Sequence, residues 1–201
     1  MRLKGLVRFM NKRSRCIDED TFKLIVSTIR TGFTDNDGVV RQPNERIATV
    51  LTIEYNLGIR IGDVLELRMC NLVKDGKRYC FDITEQKTGK HRGYTIPIDV
   101  YLFIQEYANA HNILPTQKLF PISERVVSKL LKITCEYLGL DGIGTHSFCK
   151  AFATNAYINS DYNIELVRNL LQHSSLDTTQ KYIGIGTKEM EEVILKSVCL
   201  G

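Results

Sequence analysis

The chain has 201 residues, of which 43% are hydrophobic and 25% are charged, and this balance excludes a disordered or fibrous protein and predicts one globular domain. A chain of this length buries roughly 70% of its unfolded surface, so it needs neither disulfides nor a structural metal to hold its core. Its six cysteines include no C-x-x-C pair and are interpreted as reduced thiols. No stretch approaches the ~20 apolar residues that span a bilayer, and we therefore expect a cytoplasmic protein.

The positive charge is concentrated at the start of the chain. The whole sequence carries a net charge of +4, and residues 1–17 contain six basic side chains and no acidic one, so residues 18–201 carry −2. We expect residues 1–17 to form a basic N-terminal arm or linker and residues 18–201 to form one domain. Such an arm can bind phosphate electrostatically, although a solvated tail has the same composition.

Helical patterns open the domain. Apolar residues at helical spacing behind the capping residue Asp18 predict a first helix over 18–31. A polar, turn-rich stretch at 34–38 follows, and Asn44 can cap a second helix that ends near Gly58. A short third helix comes directly afterwards.

The pattern then changes to that of strands. Strands are predicted near 71–74 and 78–84, around a hairpin turn at 75–76. A second turn at 87–90 precedes a third strand at 94–96. Three strands joined by tight turns predict a small antiparallel sheet.

The sequence after Pro97 is helical in pattern. The predicted segments are a helix marked by Ile98, Leu102, Ile104 and Tyr107, a helix that Ser123 can cap, and four helices near 146–158, 163–172, 175–183 and 188–199. The fold class is therefore α+β, predominantly helical.

Two loop-to-helix junctions carry histidines. His146 follows Gly144 and Thr145 at a helix start, where free backbone N–H groups form an anion site, and Cys149 shares the first turn with it. His173 follows a helix C-terminus. Each has a structural alternative. His146 fits a surface or capping residue, Cys149 fits a core residue on an apolar helix, and His173 fits an imidazole favoured by the negative end of the helix dipole.

Three further side chains are candidates for a site. Arg60 lies between two helices with Asp63 close enough to orient it, which also fits a local ion pair. Lys87 lies on a hairpin tip, where a solvated lysine is common. Tyr182 ends a short helix, where a half-buried aromatic with a hydrated hydroxyl is the alternative.

Read together, these residues resemble the tyrosine recombinase (phage integrase) family. Residues 57–65 look like the family's first box, in which a catalytic arginine is followed three residues later by an acid. Residues 86–90 look like its hairpin lysine. Residues 145–154 resemble its H-x-x-R box, and residues 171–182 resemble its closing segment, with the nucleophilic tyrosine nine residues after a histidine.

The resemblance implies a tyrosine-recombinase-like catalytic domain, which cleaves and rejoins DNA through a 3′-phosphotyrosyl intermediate without cofactor or metal. The implied partner is double-stranded DNA, with a free monomer or weak oligomer that assembles into a tetrameric synapse. Integration or excision of a mobile element is the expected role. The implied catalytic residues are Arg60, Lys87, His146, Cys149, His173 and Tyr182, with Asp63 and Lys150 in support.

The physical chemistry of these residue types fits phosphoryl transfer. Attack on phosphorus adds negative charge, which the planar cation of Arg60 can stabilise. His146 and His173 can donate to nonbridging oxygens or help deprotonate the nucleophile. The hydroxyl of Tyr182 has an ordinary pKa near 10 and needs neighbouring cations or a base, and Lys87 can protonate the departing 5′ oxygen.

The sequence departs from the family pattern at Cys149, where an arginine is expected. A thiol is mostly neutral at pH 7 and cannot replace a bidentate cation on phosphate. Lys150 points about 100° away on a helix, so its reach is poor. Three explanations stay open: a substitution that traps an inactive complex, a natural loss or weakening of cleavage, and rescue by Lys150.

The sequence also departs in size, because most relatives carry a helical DNA-clamping domain before the catalytic one. The chain is then either a catalytic fragment, which we favour, or a short recombinase that inverts DNA segments. Two alternative functions stay open as well. One is a DNA-binding relative with impaired cleavage, and the other is a type IB topoisomerase-like enzyme.

Overall fold

A computed structural model describes residues 14–84, 89, 91–92, 95–171, 173, 175–183 and 195. Within these residues the helices are α1 (Glu19–Thr31), α2 (Glu45–Leu57), α3 (Ile61–Glu66), α4 (Ile98–Ala110), α5 (Glu124–Tyr137), α6 (Thr145–Asn159), α7 (Ile164–Leu170) and α8 (Leu176–Tyr182). The strands are β1 (Phe33–Thr34), β2 (Val40–Arg41), β3 (Leu72–Asp75), β4 (Arg78–Phe81), β5 (Ile83–Thr84), β6 (His91–Arg92) and β7 (Thr95–Ile96).

The predicted three-stranded antiparallel sheet is confirmed, with strand order β3-β4-β7. Gly76, at φ +61°, forms the turn that pairs Asp75 with Arg78. The predicted strand at 78–84 is wrong as one element, because it divides at Asp82 into β4 and β5, and β5 pairs with β6 as a separate ribbon. The amide of Asp82 instead bonds the carbonyl of Asn71 at 2.8 Å.

The predicted helix starts follow from side-chain caps. Asp18 accepts a hydrogen bond from the amide of Thr21, and Asn44 accepts one from the amide of Ile47. Ser123 stands at the N-cap of α5, but its side chain makes no capping hydrogen bond. The predicted helices near 146–158, 163–172 and 175–183 correspond to α6, α7 and α8.

Helix α2 is the centre of the core, because nine of its thirteen residues are buried. It packs against α1, α3, α4 and α6. Its C-terminus is set by Gly58, which adopts φ +60° and donates its amide to the carbonyl of Glu54. A Cβ at Gly58 would lie 2.2 Å from Cδ1 of Phe152 on α6, so only glycine lets these helices approach this closely.

The helix predicted from Ile98, Leu102, Ile104 and Tyr107 is α4, and only some of these residues are buried. Ile104, Tyr107 and Ala108 are buried, whereas Ile98 and Leu102 are 51% and 44% exposed. Val100 and Tyr101 from its first half pack against the core instead, so the helix was predicted correctly although two of its marker residues are exposed.

The segment before α1 is attached to the domain. Ile17 is buried in the core, and the amide of Arg15 bonds the carbonyl of Gly142 at 2.8 Å. Lys150 on α6 donates its ammonium group to the carbonyl of Ser14. The end of the predicted basic arm therefore lies against α6 and the loop before it.

Three sequence predictions lie wholly or mostly outside the described residues: the course of the arm over 1–13, the turn at 87–90, of which only Gly89 is described, and the helix at 188–199, of which only Leu195 is described. In the part of the chain that is described, no helix is long and apolar enough to cross a membrane.

Candidate active site

Arg60 occupies the junction between α2 and α3. Gly58 ends α2, and Arg60 follows in an extended conformation as the N-cap residue of α3. Its carbonyl accepts the amide protons of Asp63 and Val64 at 2.9 and 3.0 Å, so the first turn of α3 holds the backbone of Arg60. Asp63 itself is buried in that turn.

The guanidinium group of Arg60 hydrogen-bonds the hydroxyl of Tyr182, the last residue of α8. Tyr182 is half-buried, and burial raises the pKa of its hydroxyl above the ordinary value. The charge and hydrogen bond of Arg60 act in the opposite direction. The fold therefore joins two residues that lie far apart in the sequence.

His173 lies beside this pair, in the connection between α7 and α8. It is buried, and its backbone amide bonds the carbonyl of Arg168 at 3.0 Å. Its Nδ1 lies 3.1 Å from Oγ1 of Thr179, and its ring packs edge-on against the ring of Tyr182. The Thr179 hydroxyl also lies 3.4 Å from the carbonyl oxygen of Ser175, so the helix backbone and the His173 ring both hold this side chain.

Cys149 is buried on α6 and faces the end of α2. Its thiol lies 3.3 Å from Oε1 of Glu54 and 3.3 Å from the carbonyl oxygen of Ile59. Cys149 and Glu54 also act electrostatically on Tyr182, where both raise the pKa of the hydroxyl. Burial raises the pKa of Glu54 well above its ordinary value, and the hydrogen bond from Cys149 offsets this only in part.

The other predicted residues lie in different settings. His146 is exposed on the first turn of α6, so it does not share the burial of Cys149. Lys150 is turned toward the carbonyl of Ser14, away from the partners of Cys149. Lys87 lies outside the described residues, between β5 and β6.

Two residues of the site were missed by the sequence analysis. Glu54 continues the buried face of α2 that Ile47, Val50 and Leu51 begin at helical spacing, and an acid on an apolar stripe is a detectable anomaly. Thr179 gives no such signal, because its role depends on the placement of the His173 ring.

The arrangement places a permanent cation on the hydroxyl of a phenol and a buried imidazole against the ring of the same phenol. A cation and an imidazole can stabilise an anionic group, and the phenol can act as a nucleophile once it loses its proton. Among the described residues, no cluster of three or more histidine, cysteine or acidic side chains could hold a metal ion.

The fold is that of tyrosine recombinase catalytic domains, as predicted. The structure of the XerH site-specific recombinase bound to palindromic difH substrate, a post-cleavage complex, matches 94% of this chain and 55% of that one with a TM-score of 0.68 at 17% identity. Residues 10–189 match the phage integrase family model, and the chain belongs to this family.

Two curated relatives agree with this assignment. Tyrosine recombinase XerC of Bradyrhizobium diazoefficiens is 30% identical over 157 residues, which cover 74% of this chain and 48% of that protein. Probable integrase/recombinase YoeC of Bacillus subtilis is 30% identical over 147 residues, which cover 71% of this chain and 79% of that protein. The chain thus spans about half the length of the XerC relative.

Proposed function

We propose that this chain is the catalytic part of a site-specific DNA recombinase. Tyr182 attacks a DNA phosphorus, forms a 3′-phosphotyrosyl link and releases a 5′ hydroxyl, and a second 5′ hydroxyl later displaces the tyrosine. The observation that carries this proposal is the contact of the Tyr182 hydroxyl with the Arg60 guanidinium, with the His173 ring against the same tyrosine.

Each neighbour of Tyr182 has a chemical task in this proposal. Arg60 stabilises the charge that develops on the phosphate oxygens. His173 offers Nε2 either to the tyrosine proton or, when protonated, to a nonbridging oxygen. In the free protein, burial keeps the Tyr182 hydroxyl protonated, because it raises the pKa. Cleavage therefore depends on His173 to accept that proton and on the charge of Arg60 to stabilise the phenolate when DNA is bound.

The remaining family positions complete the proposal. Lys87 protonates the departing 5′ oxygen, and His146, exposed at the start of α6, contacts the phosphate from the solvent side. Asp63 orients the segment that carries Arg60. We do not assign Lys150 a place in cleavage, since its ammonium group is held by the carbonyl of Ser14.

The proposed partner is double-stranded DNA. Support comes from the XerH relative, whose structure was determined with its difH substrate. We propose that residues 1–17 add a basic arm along the phosphates and that 18–201 form the catalytic domain, which assembles as a tetramer on DNA in the cytoplasm. The B. subtilis relative, named as an integrase/recombinase, supports integration or excision of a mobile element.

A second candidate function is DNA binding with impaired cleavage. The buried thiol of Cys149 contacts a carboxyl and a carbonyl, and it supplies no positive charge to a phosphate. Loss of one preorganised donor typically lowers a rate by about 10²–10³. In this second function the chain keeps the fold and binds DNA but cleaves it inefficiently.

Covalent trapping distinguishes the two functions without a known target site. The probe is a pool of duplexes of randomised sequence, each nicked so that the short 5′-hydroxyl fragment diffuses away after cleavage. Protein-linked DNA is then isolated under denaturing conditions and sequenced. We expect an adduct with the unsubstituted chain and with the control Tyr162→Phe, an exposed tyrosine beyond α6, and none with Tyr182→Phe.

Each outcome of the trapping experiment supports or contradicts one of the two functions. An adduct that persists in Tyr182→Phe contradicts the assignment of the nucleophile. Retarded DNA in a gel without any adduct supports the binding function, and neither adduct nor retardation contradicts both.

A further inference from the structure

The carboxyl group of Glu54 is buried next to the site without a full set of partners. Its side chain lies in the last turn of α2 and is 1% exposed. Oε1 receives the Cys149 thiol at 3.3 Å, whereas Oε2 has no hydrogen-bond partner in the described part of the chain. Leaving such an oxygen buried without a partner destabilises the fold, so its position calls for an explanation.

The surroundings of Cys149 contain more acceptors than the thiol can satisfy. Its sulfur lies equally close to Oε1 of Glu54 and to the carbonyl of Ile59, and a thiol has one proton to donate. Oε2 of Glu54 adds a third oxygen. A guanidinium group carries five N–H donors in one plane and pairs bidentately with a carboxylate, so it matches this set of oxygens.

We propose that Glu54 and the Ile59 carbonyl form a receptor for a guanidinium group at position 149, and that Glu54 holds a proton while Cys149 stands there. Glu54 is thus a positioning residue whose charge depends on the side chain opposite. A cation in this receptor lies near the Tyr182 hydroxyl, whose surroundings include both Glu54 and Cys149. Its benefit to cleavage rests on the proposed function, but the receptor itself does not.

A double-mutant cycle in thermal unfolding at pH 5 tests the receptor without DNA. In the Cys149 background, Glu54→Gln keeps a neutral side chain of the same shape and should move the midpoint by about 3 °C or less. In the Cys149→Arg background the same change leaves a buried guanidinium without its counter-charge. The midpoint should then fall by about 6–20 °C, the range expected for breaking a buried pair.

Cys135 on α5 is the matched control. It is as buried as Cys149 but is hydrogen-bonded to no carboxyl group within the described residues. Cys135→Arg should therefore unfold at a much lower temperature than Cys149→Arg, or fail to fold. Equal damage from the two arginine variants would overturn the proposal, as would an equal effect of Glu54→Gln in both backgrounds.

Infrared spectroscopy gives a second measurement on folded protein. The unsubstituted chain should show a band of a protonated carboxyl that disappears in Glu54→Gln, and this band should also be absent from Cys149→Arg. A folded Cys149→Arg variant that keeps the band contradicts the proposal. Since neither measurement involves DNA, failure of the receptor and failure of the recombinase function are separately visible.

Discussion

The ring of His173 packs edge-on against the ring of Tyr182, with centroids 4.7 Å apart and planes inclined by 60°. The imidazole is held from its other side by Thr179, whose hydroxyl lies 3.1 Å from Nδ1. Because Thr179 and Tyr182 belong to the same short helix, α8 fixes the tyrosine and the orientation of its neighbour together.

Thr179→Val should therefore lower the rate of adduct formation by about tenfold or more while DNA binding is retained. The substitution removes the hydrogen-bond partner of Nδ1, so the ring is free to turn and Nε2 loses its alignment. Unfolding in urea should show a loss of about 1–3 kcal/mol from the lost buried hydrogen bond. Thr178→Val, one residue earlier and bonded to Ser175, is the control and should leave the rate unchanged.

Cys149→Arg should raise strand cleavage at least tenfold. The substitution restores a donor of the kind whose removal costs about 2.7–4 kcal/mol, and the Glu54 carboxyl and Ile59 carbonyl stand ready to orient it. Single-turnover trapping on a nicked duplex recovered from the randomised pool measures the change. An unchanged rate in a folded variant would refute the assignment of this position to phosphate binding.

Glu54 should make stability fall as the pH rises. Its pKa in the folded state lies well above the ordinary value of about 4.5, so above that pH the folded chain binds more protons than the unfolded chain. The free energy of unfolding then decreases by up to about 1.4 kcal/mol per pH unit until the folded pKa is passed.

Urea unfolding of the unsubstituted chain and of Glu54→Gln between pH 5 and pH 8 measures this contribution. The difference in the free energy of unfolding between Glu54→Gln and the unsubstituted chain should grow with pH in favour of the glutamine variant. Glu165→Gln is the control, because the pKa of that exposed glutamate is lowered by its hydrogen bond with Arg168 and it is ionised in both states over this range. Parallel curves for Glu54→Gln and the unsubstituted chain would contradict the prediction.

Gly58→Ala should destabilise the fold by about 2–5 kcal/mol. The left-handed conformation of this residue costs an alanine about 1–2 kcal/mol, and the new Cβ would overlap the ring of Phe152, which adds about 1–3 kcal/mol. Gly76→Ala provides the comparison, since it has nearly the same φ but no atom within 4 Å of the new Cβ. Urea denaturation of Gly76→Ala should show only the loss of stability that the left-handed backbone conformation causes. Equal losses of stability in Gly58→Ala and Gly76→Ala would exclude a contribution from the overlap with Phe152.

Local signals explain how much of the fold was predictable. The caps at Asp18 and Asn44, and the hairpin turn at Gly76, depend on neighbouring residues alone, and they are found where the sequence predicts them. Strands β1 and β2 are two residues each, too short for an alternation pattern to reveal. The exposure of Ile98 and Leu102 depends on what packs over α4, which no local pattern encodes.

The candidate site was predictable where motifs carry it and not where packing creates it. Arg60, His173 and Tyr182 were proposed from the order of the family boxes, and the fold brings Arg60 and His173 each against Tyr182. The partner of Cys149 could not be read in the same way, because Glu54 lies 95 residues away in the sequence. Burial alone makes that carboxyl chemically unusual.

The packing of α2 against α6, where Gly58 lies close to Phe152, means that the site forms only when distant parts of the chain have folded together. A nascent chain that has left the ribosome only as far as α5 contains Arg60 but not yet Tyr182. In a complete chain whose α7 and α8 have detached, Tyr182 is separated from the guanidinium group of Arg60. The Arg60–Tyr182 pair is therefore complete only when the whole domain has folded, so the cleavage that we propose for this chain depends on completed folding.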